Sequence, residues 1–174
     1  MDQERSDQHI NNLIAELGNS SRLQSLKARQ RLVEIGEAAV PGLDLVLASG
    51  SHHARWEAAK ALAEIRSPSS APALVRALQD EDIGVRWVAM DALIALDQAG
   101  LKPLLEALIR DFQSVWLREG AHHIFHTLRR RGHLPKPFIN VYEALEGAEP
   151  EMKVPWTAEK AWEKMLQSRE GGSP

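Results

Sequence analysis

The sequence predicts an all-α fold, an α-solenoid of about five helix-turn-helix repeats, and three observations support that prediction. No segment alternates apolar and polar residues with a period of two, so no strand is expected. One phrase recurs with evenly spaced prolines, as Val40-Pro41-Gly42-Leu43, Ala71-Pro72-Ala73-Leu74 and Lys102-Pro103-Leu104-Leu105. A second phrase follows each copy, as Ala54-Arg55-Trp56, Val85-Arg86-Trp87 and Leu117-Arg118-Glu119. Two phrases that keep the same register along the chain indicate structural repeats.

Each repeat is predicted to contain two helices, because apolar residues recur at spacings of three and four. In the second repeat Pro41 suits a first helical turn, where its missing N–H costs no hydrogen bond. The residues Ser49-Gly50-Ser51 should end that helix. The next helix should stop at Ser67-Pro68, since the residue before a proline avoids the helical region. In the third repeat the acidic turn Asp80-Glu81-Asp82 suits a helix N-terminus.

The first and last repeats fit the pattern less closely. A copy without the arginine fits residues 25–35, and a looser fifth copy runs over residues 137–166. We therefore expect a repeat domain over residues 10–168, a polar N-terminal tail at 1–9 and a disordered tail at 169–174. One helix pair of this size cannot bury its own apolar face, so neighbouring pairs must stack into a continuous core.

The composition excludes several classes of function. The chain has no cysteine, so it cannot hold a disulfide framework, a zinc-thiolate site or an iron-sulfur cluster, and thiol catalysis is excluded as well. Lys and Arg number 21 against 24 Asp and Glu, which argues against a general polyanion binder. The N-terminal residues are polar and acidic, and no long apolar run follows them. We therefore expect a cytoplasmic protein that does not bind membranes.

The x-Pro-x-Leu phrase and the arginine phrase together resemble the HEAT-repeat family, in particular the short HEAT-like units found in phycobilisome lyases. The resemblance covers roughly residues 10–168. It implies a right-handed superhelix in which the second helix of each HEAT-like pair lines the concave side. It also implies that Arg55, Arg86 and Arg118 form the arginine ladder of the family, pairing with acidic turn residues such as Asp82.

Large side chains lie opposite the buried stripe of the second helices. At about 100° per residue, Trp56 and Lys60 point away from the apolar stripe of Ala54, Ala58 and Leu62. The same register, extended at one end by Leu26 and Val33, gives the predicted partner-binding residues Trp56, Lys60, Trp87, Met90, Asp91, Ile94, Glu119, His122, His123, His126 and Trp156. Tryptophan is enriched at binding hot spots, so we expect a tryptophan-lined concave groove. The alternative is that these rings only cover the seams between repeats.

One cluster in the fourth repeat has the spacing of metal ligands. Glu119 with His123, and His122 with His126, are each four residues apart and so share a helix face. Asp91 in the preceding repeat is a candidate third ligand. The alternative is a polar groove wall in which the imidazoles form hydrogen bonds, and on that interpretation no metal and no cofactor is expected.

Two further enzymatic interpretations depend on the HEAT resemblance. The HEAT-like alkylpurine DNA glycosylases use concave tryptophans with an aspartate, and Trp87 with Asp91, flanked by Trp56, is similar to that arrangement. A basic groove is missing, however, so phosphate neutralisation is poor. A bilin-lyase-like role is supported only by the generic repeat phrase. Deoxyhypusine hydroxylase holds iron with His-Glu dipeptides, and this sequence has none.

The sequence therefore favours a non-catalytic interaction module that binds a peptide or protein partner in its concave groove. Neither a glycine-rich phosphate loop nor a G-x-S-x-G motif occurs. Nucleic acid is not the expected partner, and the oligomeric state is left open.

Overall fold

The computed structural model describes residues 2–170, and within that range it contains helices and no strand. The all-α prediction is thus confirmed. Short 3-10 turns at Gly36–Ala39 and Pro68–Ser70 lead into two of the helices. The helices are α1 (Asp2–Glu16), α2 (Arg22–Ile35), α3 (Val40–Ser49), α4 (His52–Ile65), α5 (Ala71–Ala77), α6 (Ile83–Leu96), α7 (Gln98–Arg110), α8 (Val115–Arg130), α9 (Lys136–Glu146) and α10 (Pro150–Glu170).

The predicted helix boundaries in the second and third repeats agree with the structure to within two residues. Helix α3 ends at Ser49, and the Ser51 side chain accepts a hydrogen bond from the N–H of Ala54 at the start of α4. The Asp82 carboxylate accepts one from the N–H of Val85 at 3.0 Å, which satisfies a free donor of the first turn of α6. Helix α4 ends where Arg66 adopts a left-handed φ of 56°.

The prolines of the repeat do not all occupy the expected first turn. Pro41 and Pro72 lie in the first turns of α3 and α5, as predicted. Pro103 lies inside α7, which begins at Gln98, and Pro155 lies inside α10. A proline at an interior position removes one helical hydrogen bond. Pro103 and Pro155 are interior because α7 and α10 begin earlier than the phrase suggests, whereas Pro137 keeps the first-turn position in α9.

The chain divides into two compact units, Met1–Leu96 and Asp97–Pro174, whereas a single repeat domain was expected. We refer to them as the N-terminal unit and the C-terminal unit. The division falls at Asp97, whose φ of 53° interrupts the helical backbone between α6 and α7. A positive φ is costly for any residue with a side chain, so this position is a genuine break between helices.

The two segments predicted as tails are partly helical in the structure. Helix α1 begins at Asp2, so residues of the polar segment 1–9 are helical, and Ile10 and Leu13 of the same helix are buried. Helix α10 continues to Glu170, and residues 171–174 of the expected C-terminal tail lie outside the described residues.

In the N-terminal unit α4 packs against α2, α3 and α6, so three of its flanks are covered. Its core includes Leu32, Leu43 and Leu62, each at most 1% exposed. In the C-terminal unit α10 packs against α7 and α9, and α8 packs against α9. There the rings of Phe125 and Phe138 meet edge to face with their centroids 5.8 Å apart.

Candidate functional site

A cleft of about 630 Å³ opens at one edge of the N-terminal unit, where three successive repeats each contribute a turn or a helix start. The cleft is lined by the turn between α1 and α2, the start of α2, and the first turns of α4 and α6. Its volume lies within the range of about 300–1,000 Å³ typical of ligand sites. The lining residues are Gly18, Asn19, Ser20, Arg22, His52, His53, Trp56, Asp82, Ile83 and Gly84.

Trp56 is the largest apolar group in this cleft and is held from several directions. Its ring stacks with that of His53, with centroids 6.4 Å apart and an interplanar angle of 18°. The Lys60 ammonium lies 4.4 Å from the Trp56 ring centroid, in cation-π contact. A methyl group added to Gly84 would lie 3.5 Å from the indole Cδ1, so the ring reaches the backbone of α6. These contacts leave Trp56 half-buried, with part of its surface facing the cleft.

Two histidines define the polar part of the cleft. The Nε2 of His53 lies 3.0 Å from the Oγ of Ser25, a fully buried side chain of α2. The Nε2 of His52 lies 2.8 Å from Asp82 Oδ2. The hydrogen bond from the Val85 N–H and the nearby imidazole of His52 hold the pKa of Asp82 below its usual value. Asp82 is therefore the ionised acid of the cleft, and its oxygens already have partners.

A buried ion pair fixes α2 against α4 beside the cleft. The Nε of Arg29 lies 2.8 Å from the Oε2 of Glu57, and the two side chains are only 11% and 3% exposed. Arg29 also contacts the carboxylate of Glu64, which lies two helical turns after Glu57 in α4. Because a buried charge is tolerated only when it is paired, this contact holds the register between the two helices, and with it the position of Trp56.

The predicted partner-binding residues occupy two kinds of repeat position. We call the positions of Trp87, Asp91, Glu119 and Trp156 the outer row, and those of Met90, Ile94, His122 and His126 the inner row. The outer row keeps solvent exposure, as expected: Trp87 is 48% exposed, Trp156 is 62% exposed, and Asp91 and Glu119 are exposed as well. The inner row differs, because Met90 and Ile94 are 9% and 6% exposed and belong to the core. Their assignment to an open groove is therefore corrected. The angular argument located the face opposite the core of the same repeat but did not account for side-by-side packing of consecutive second helices.

Another pair of inner-row residues in the C-terminal unit lies against an aromatic ring. The ring of His122 stacks on that of Tyr142 with centroids 5.4 Å apart, and on that of His126 at 6.2 Å. The Tyr142 hydroxyl donates to Glu146, whose Oε1 also lies 3.6 Å from His122 Nε2. The bond to Glu146 and burial raise the pKa of Tyr142, and the same bond lowers the pKa of Glu146. The guanidinium of Arg129 lies 5.1 Å from the Tyr142 ring.

The metal interpretation of this cluster has no support from its geometry. Across residues 2–170, no group of three or more His, Asp or Glu side chains is arranged to hold a metal ion. The predicted ligands Glu119, His122, His123 and His126, with Asp91, are thus not brought together as a coordination site. His122 and His126 share a face as expected, but they contact Tyr142 there.

A second cavity, of about 410 Å³, lies in the C-terminal unit between α7 and α10. It is lined by Trp162 and Ile109 together with the carboxylates of Glu106, Glu159 and Glu163. The ammonium of Lys102 lies 5.0 Å from the Trp162 ring centroid. Trp162 is half-buried and lies at the wall of this cavity.

The repeated arginines contact the turn that precedes their own helix. Arg55 donates to the carbonyl of Gly50, Arg86 to that of Asp80, and Arg118 to that of Phe112. Arg55 also forms two hydrogen bonds with the Asp80 carboxylate, at 2.8 and 2.9 Å. The acidic partner in this turn is thus Asp80, whereas Asp82, named as an example from the sequence, pairs with His52.

Sequence reasoning identified Trp56 but missed most of the residues around it. Arg22, His52, His53 and Asp82 were not selected, because the register analysis followed helix faces and these residues lie in turns or first helical turns. One signal was available: His53 and Trp56 are three residues apart, so they share a face at the start of a helix.

The match to known families agrees with the fold. Residues 40–123 match the family model for HEAT repeats, so this part of the chain is built from HEAT repeats. The narrower resemblance to the units of phycobilisome lyases is not confirmed, since the match is to HEAT repeats in general. No curated protein matches the chain. Within the described residues, none of the helices has both the length and the apolar composition that crossing a bilayer requires.

Proposed function

We propose that this protein is a non-catalytic interaction module and that a segment of a partner protein binds to the N-terminal unit through Trp56 and Trp87. The observation that carries the proposal is the cleft of about 630 Å³ with Trp56 in its wall. HEAT-repeat proteins use extended surfaces formed by consecutive repeats to bind other proteins, and the family match over residues 40–123 supports the same use here.

The two tryptophans have the burial expected of binding anchors. Trp56 is half-buried and Trp87 is 48% exposed, so each ring has a fixed part and an available part. A ring anchored in this way loses little conformational entropy when a partner covers it, and truncation of such residues typically costs 2 kcal/mol or more. Lys60 and Asp91, which follow the two tryptophans by one helical turn, would supply polar contacts at the rim.

Some of the predicted groove residues lie in the C-terminal unit. Glu119, His123 and Trp156 are each at least partly exposed and would contact a partner from the C-terminal unit by themselves. His122 and His126 would contribute less, because the ring of His122 already stacks on that of Tyr142 and the ring of His126 lies tilted against it.

The proposal can be tested by selecting peptides from a displayed random library on the purified protein. We expect the wild type to select a consensus peptide, and Trp56→Ala and Trp87→Ala each to bind that peptide at least about 30-fold more weakly, which corresponds to about 2 kcal/mol. Trp116→Ala is the matched control, because Trp116 is 43% exposed but lies in the C-terminal unit.

Thermal unfolding of each variant separates loss of binding from loss of fold. If Trp56→Ala and Trp87→Ala keep the melting temperature and still bind the selected peptide as tightly as the wild type, the two rings are not the anchors. A melting temperature that drops for both would assign the rings a structural role instead.

A further inference from the structure

We propose that the segment bound in the cleft is acidic, with an apolar side chain against Trp56 and a carboxylate next to it that pairs with Arg22. This inference rests on the proposed function and adds the chemistry of the partner. It concerns the cleft between the α1–α2 turn and the first turns of α4 and α6.

Arg22 is the main source of the predicted charge preference. It lies at the start of α2, is exposed, and lines the cleft. Its guanidinium forms no ion pair with any residue that the structure describes, unlike Arg29 and Arg55 in the same unit. An arginine has five donors in a planar fork that suits a carboxylate, and here that fork is available to a ligand.

The cleft lining also holds one acid, Asp82, whose negative charge offsets one of the positive charges. Both Asp82 oxygens have partners, one in the N–H of Val85 and the other in His52. The Lys60 ammonium beside the Trp56 ring adds a second positive charge at the edge of the site. The first turns of α2, α4 and α6 contribute partial charges of the same sign. Arg22 and Lys60 against Asp82 leave a surplus of one positive charge at the cleft, on a chain whose formal net charge is -3.

The apolar part of the cleft sets the second requirement on the partner. Trp56 and Ile83 both line the cleft, and Ile83 is 61% exposed. A side chain at position 84 would meet the Asp82 Oδ1 at 2.9 Å and the Trp56 ring at 3.5 Å, so glycine keeps this part of the cleft open. A leucine or aromatic side chain of a partner would cover the indole here, with its acidic neighbour directed to Arg22.

The charges favour an acidic peptide over a nucleic acid. A nucleic acid is bound through several phosphates at once, each needing its own lysine or arginine. The cleft lining contains a single arginine and no lysine. The Arg22 guanidinium and the Trp56 indole, which line the same cleft, suit one carboxylate next to one apolar group.

The experiment measures fluorescence anisotropy with three fluorescein-labelled ten-residue peptides that share two leucines and differ in the other positions. One carries Asp and Glu, one carries Asn and Gln, and one carries Lys. We expect the acidic peptide to bind at least about tenfold more tightly than the amide peptide, and the lysine peptide to bind most weakly. Raising the salt concentration should reduce the difference, since exposed charge pairs are screened.

Two variants assign the preference to the cleft. Arg22→Gln should remove most of the difference between the acidic and the amide peptide, whereas Trp56→Ala should weaken both peptides. Arg31→Gln is the matched control, because it removes the same charge from an exposed residue of the same helix outside the cleft. Circular dichroism melting confirms that each variant is folded.

Equal binding of the acidic and amide peptides would overturn the charge preference while leaving the proposed function intact, because the library selection tests that function separately. A preference that survives Arg22→Gln would also overturn it. If a ten-nucleotide oligothymidylate binds more tightly than the acidic peptide, the ligand of the cleft is a nucleic acid and the proposed acidic segment is wrong. Failure of all three peptides overturns this inference, and the proposed function then depends on the library selection alone.

Discussion

The N-terminal and C-terminal units use the same repeat register for different chemistry. In the N-terminal unit Arg55 pairs with two oxygens of Asp80 and with Glu81, and it donates to a carbonyl of its own turn. The equivalent Arg118 of the C-terminal unit donates to the carbonyl of Phe112. The contact to the turn is thus common to both units, and in the N-terminal unit Arg55 adds a pair with the carboxylate of Asp80.

The inner row of the second helices shows the same contrast. Positions Ala59 and Met90 in the N-terminal unit are buried, while the equivalent His122 in the C-terminal unit is partly exposed and stacks on Tyr142. The register therefore determines which direction a side chain faces, and the neighbouring element determines whether that position becomes core, an internal polar contact or a surface. The predictions below test this difference between the units.

The largest effect should come from the buried ion pair of the N-terminal unit. Arg29→Met leaves the carboxylate of Glu57, only 3% exposed, without its cation. We expect a loss of about 3 kcal/mol in the free energy of unfolding, as for other broken buried pairs. Urea unfolding followed by circular dichroism measures it. Arg31→Ala, which breaks an exposed pair on the same helix, should cost less than about 0.5 kcal/mol. Similar losses for both variants would contradict the prediction.

Substitutions of the repeated arginines compare the two units directly. Arg55→Ala removes a bidentate contact and leaves Asp80 nearly buried without its cation, so we expect a loss of about 2 kcal/mol. Arg118→Ala removes a hydrogen bond to a carbonyl and should cost about 1 kcal/mol. Urea unfolding of the two single variants gives the difference. Equal losses would show that the ladder contributes nothing beyond the turn contact.

A substitution at Asp44 should stabilise the N-terminal unit. Burial raises the pKa of Asp44 to about 6, and the nearby Arg76 offsets only part of this. Because the folded pKa lies above the unfolded value, the protonated form favours folding, and that stability is lost as the pH rises through about 6. We expect Asp44→Asn to be more stable than the wild type by roughly 1 kcal/mol at pH 7.5. The advantage should shrink towards pH 4, and melting curves at the two pH values test this.

An effect of similar size concerns the stacked cluster of the C-terminal unit. Tyr142 is the only tyrosine of the chain, so an ultraviolet titration reports on it alone. The wild type should show a pKa above the usual value, and Glu146→Gln should lower that pKa towards it. Stability from the protonated phenol is present at neutral pH and is lost as the pH rises through the folded pKa. Tyr142→Phe should cost about 1 kcal/mol at pH 7. If the pKa of Tyr142 is unchanged in Glu146→Gln, the hydrogen bond to Glu146 is not the cause of the raised pKa.

Much of the fold could be predicted from the sequence because helix ends and repeat spacing are local signals. The serine at position 51 and the aspartate at 82 cap helices where the sequence placed them. The interruption at Asp97 could not be predicted in this way, because a positive φ at an aspartate has no sequence signature comparable to glycine.

The candidate site was predicted less completely. The exposure of Trp87 and Trp156 follows from helix periodicity, which needs only the core direction of each repeat. The burial of Met90 and Ile94 depends on packing between successive repeats, and the cleft depends on turns from three repeats meeting at one edge. Neither arrangement is encoded in the periodicity of a single helix.

The cleft is assembled from short segments outside the regular packing, and this has an evolutionary consequence. Asn19, Ser20 and His52 lie at exposed or half-exposed positions, so substitutions there leave the leucine core untouched. Surface substitutions of this kind usually change stability by less than about 0.5 kcal/mol. Binding preference can therefore diverge among descendants of this protein one turn at a time, while selection for folding acts on a separate set of residues.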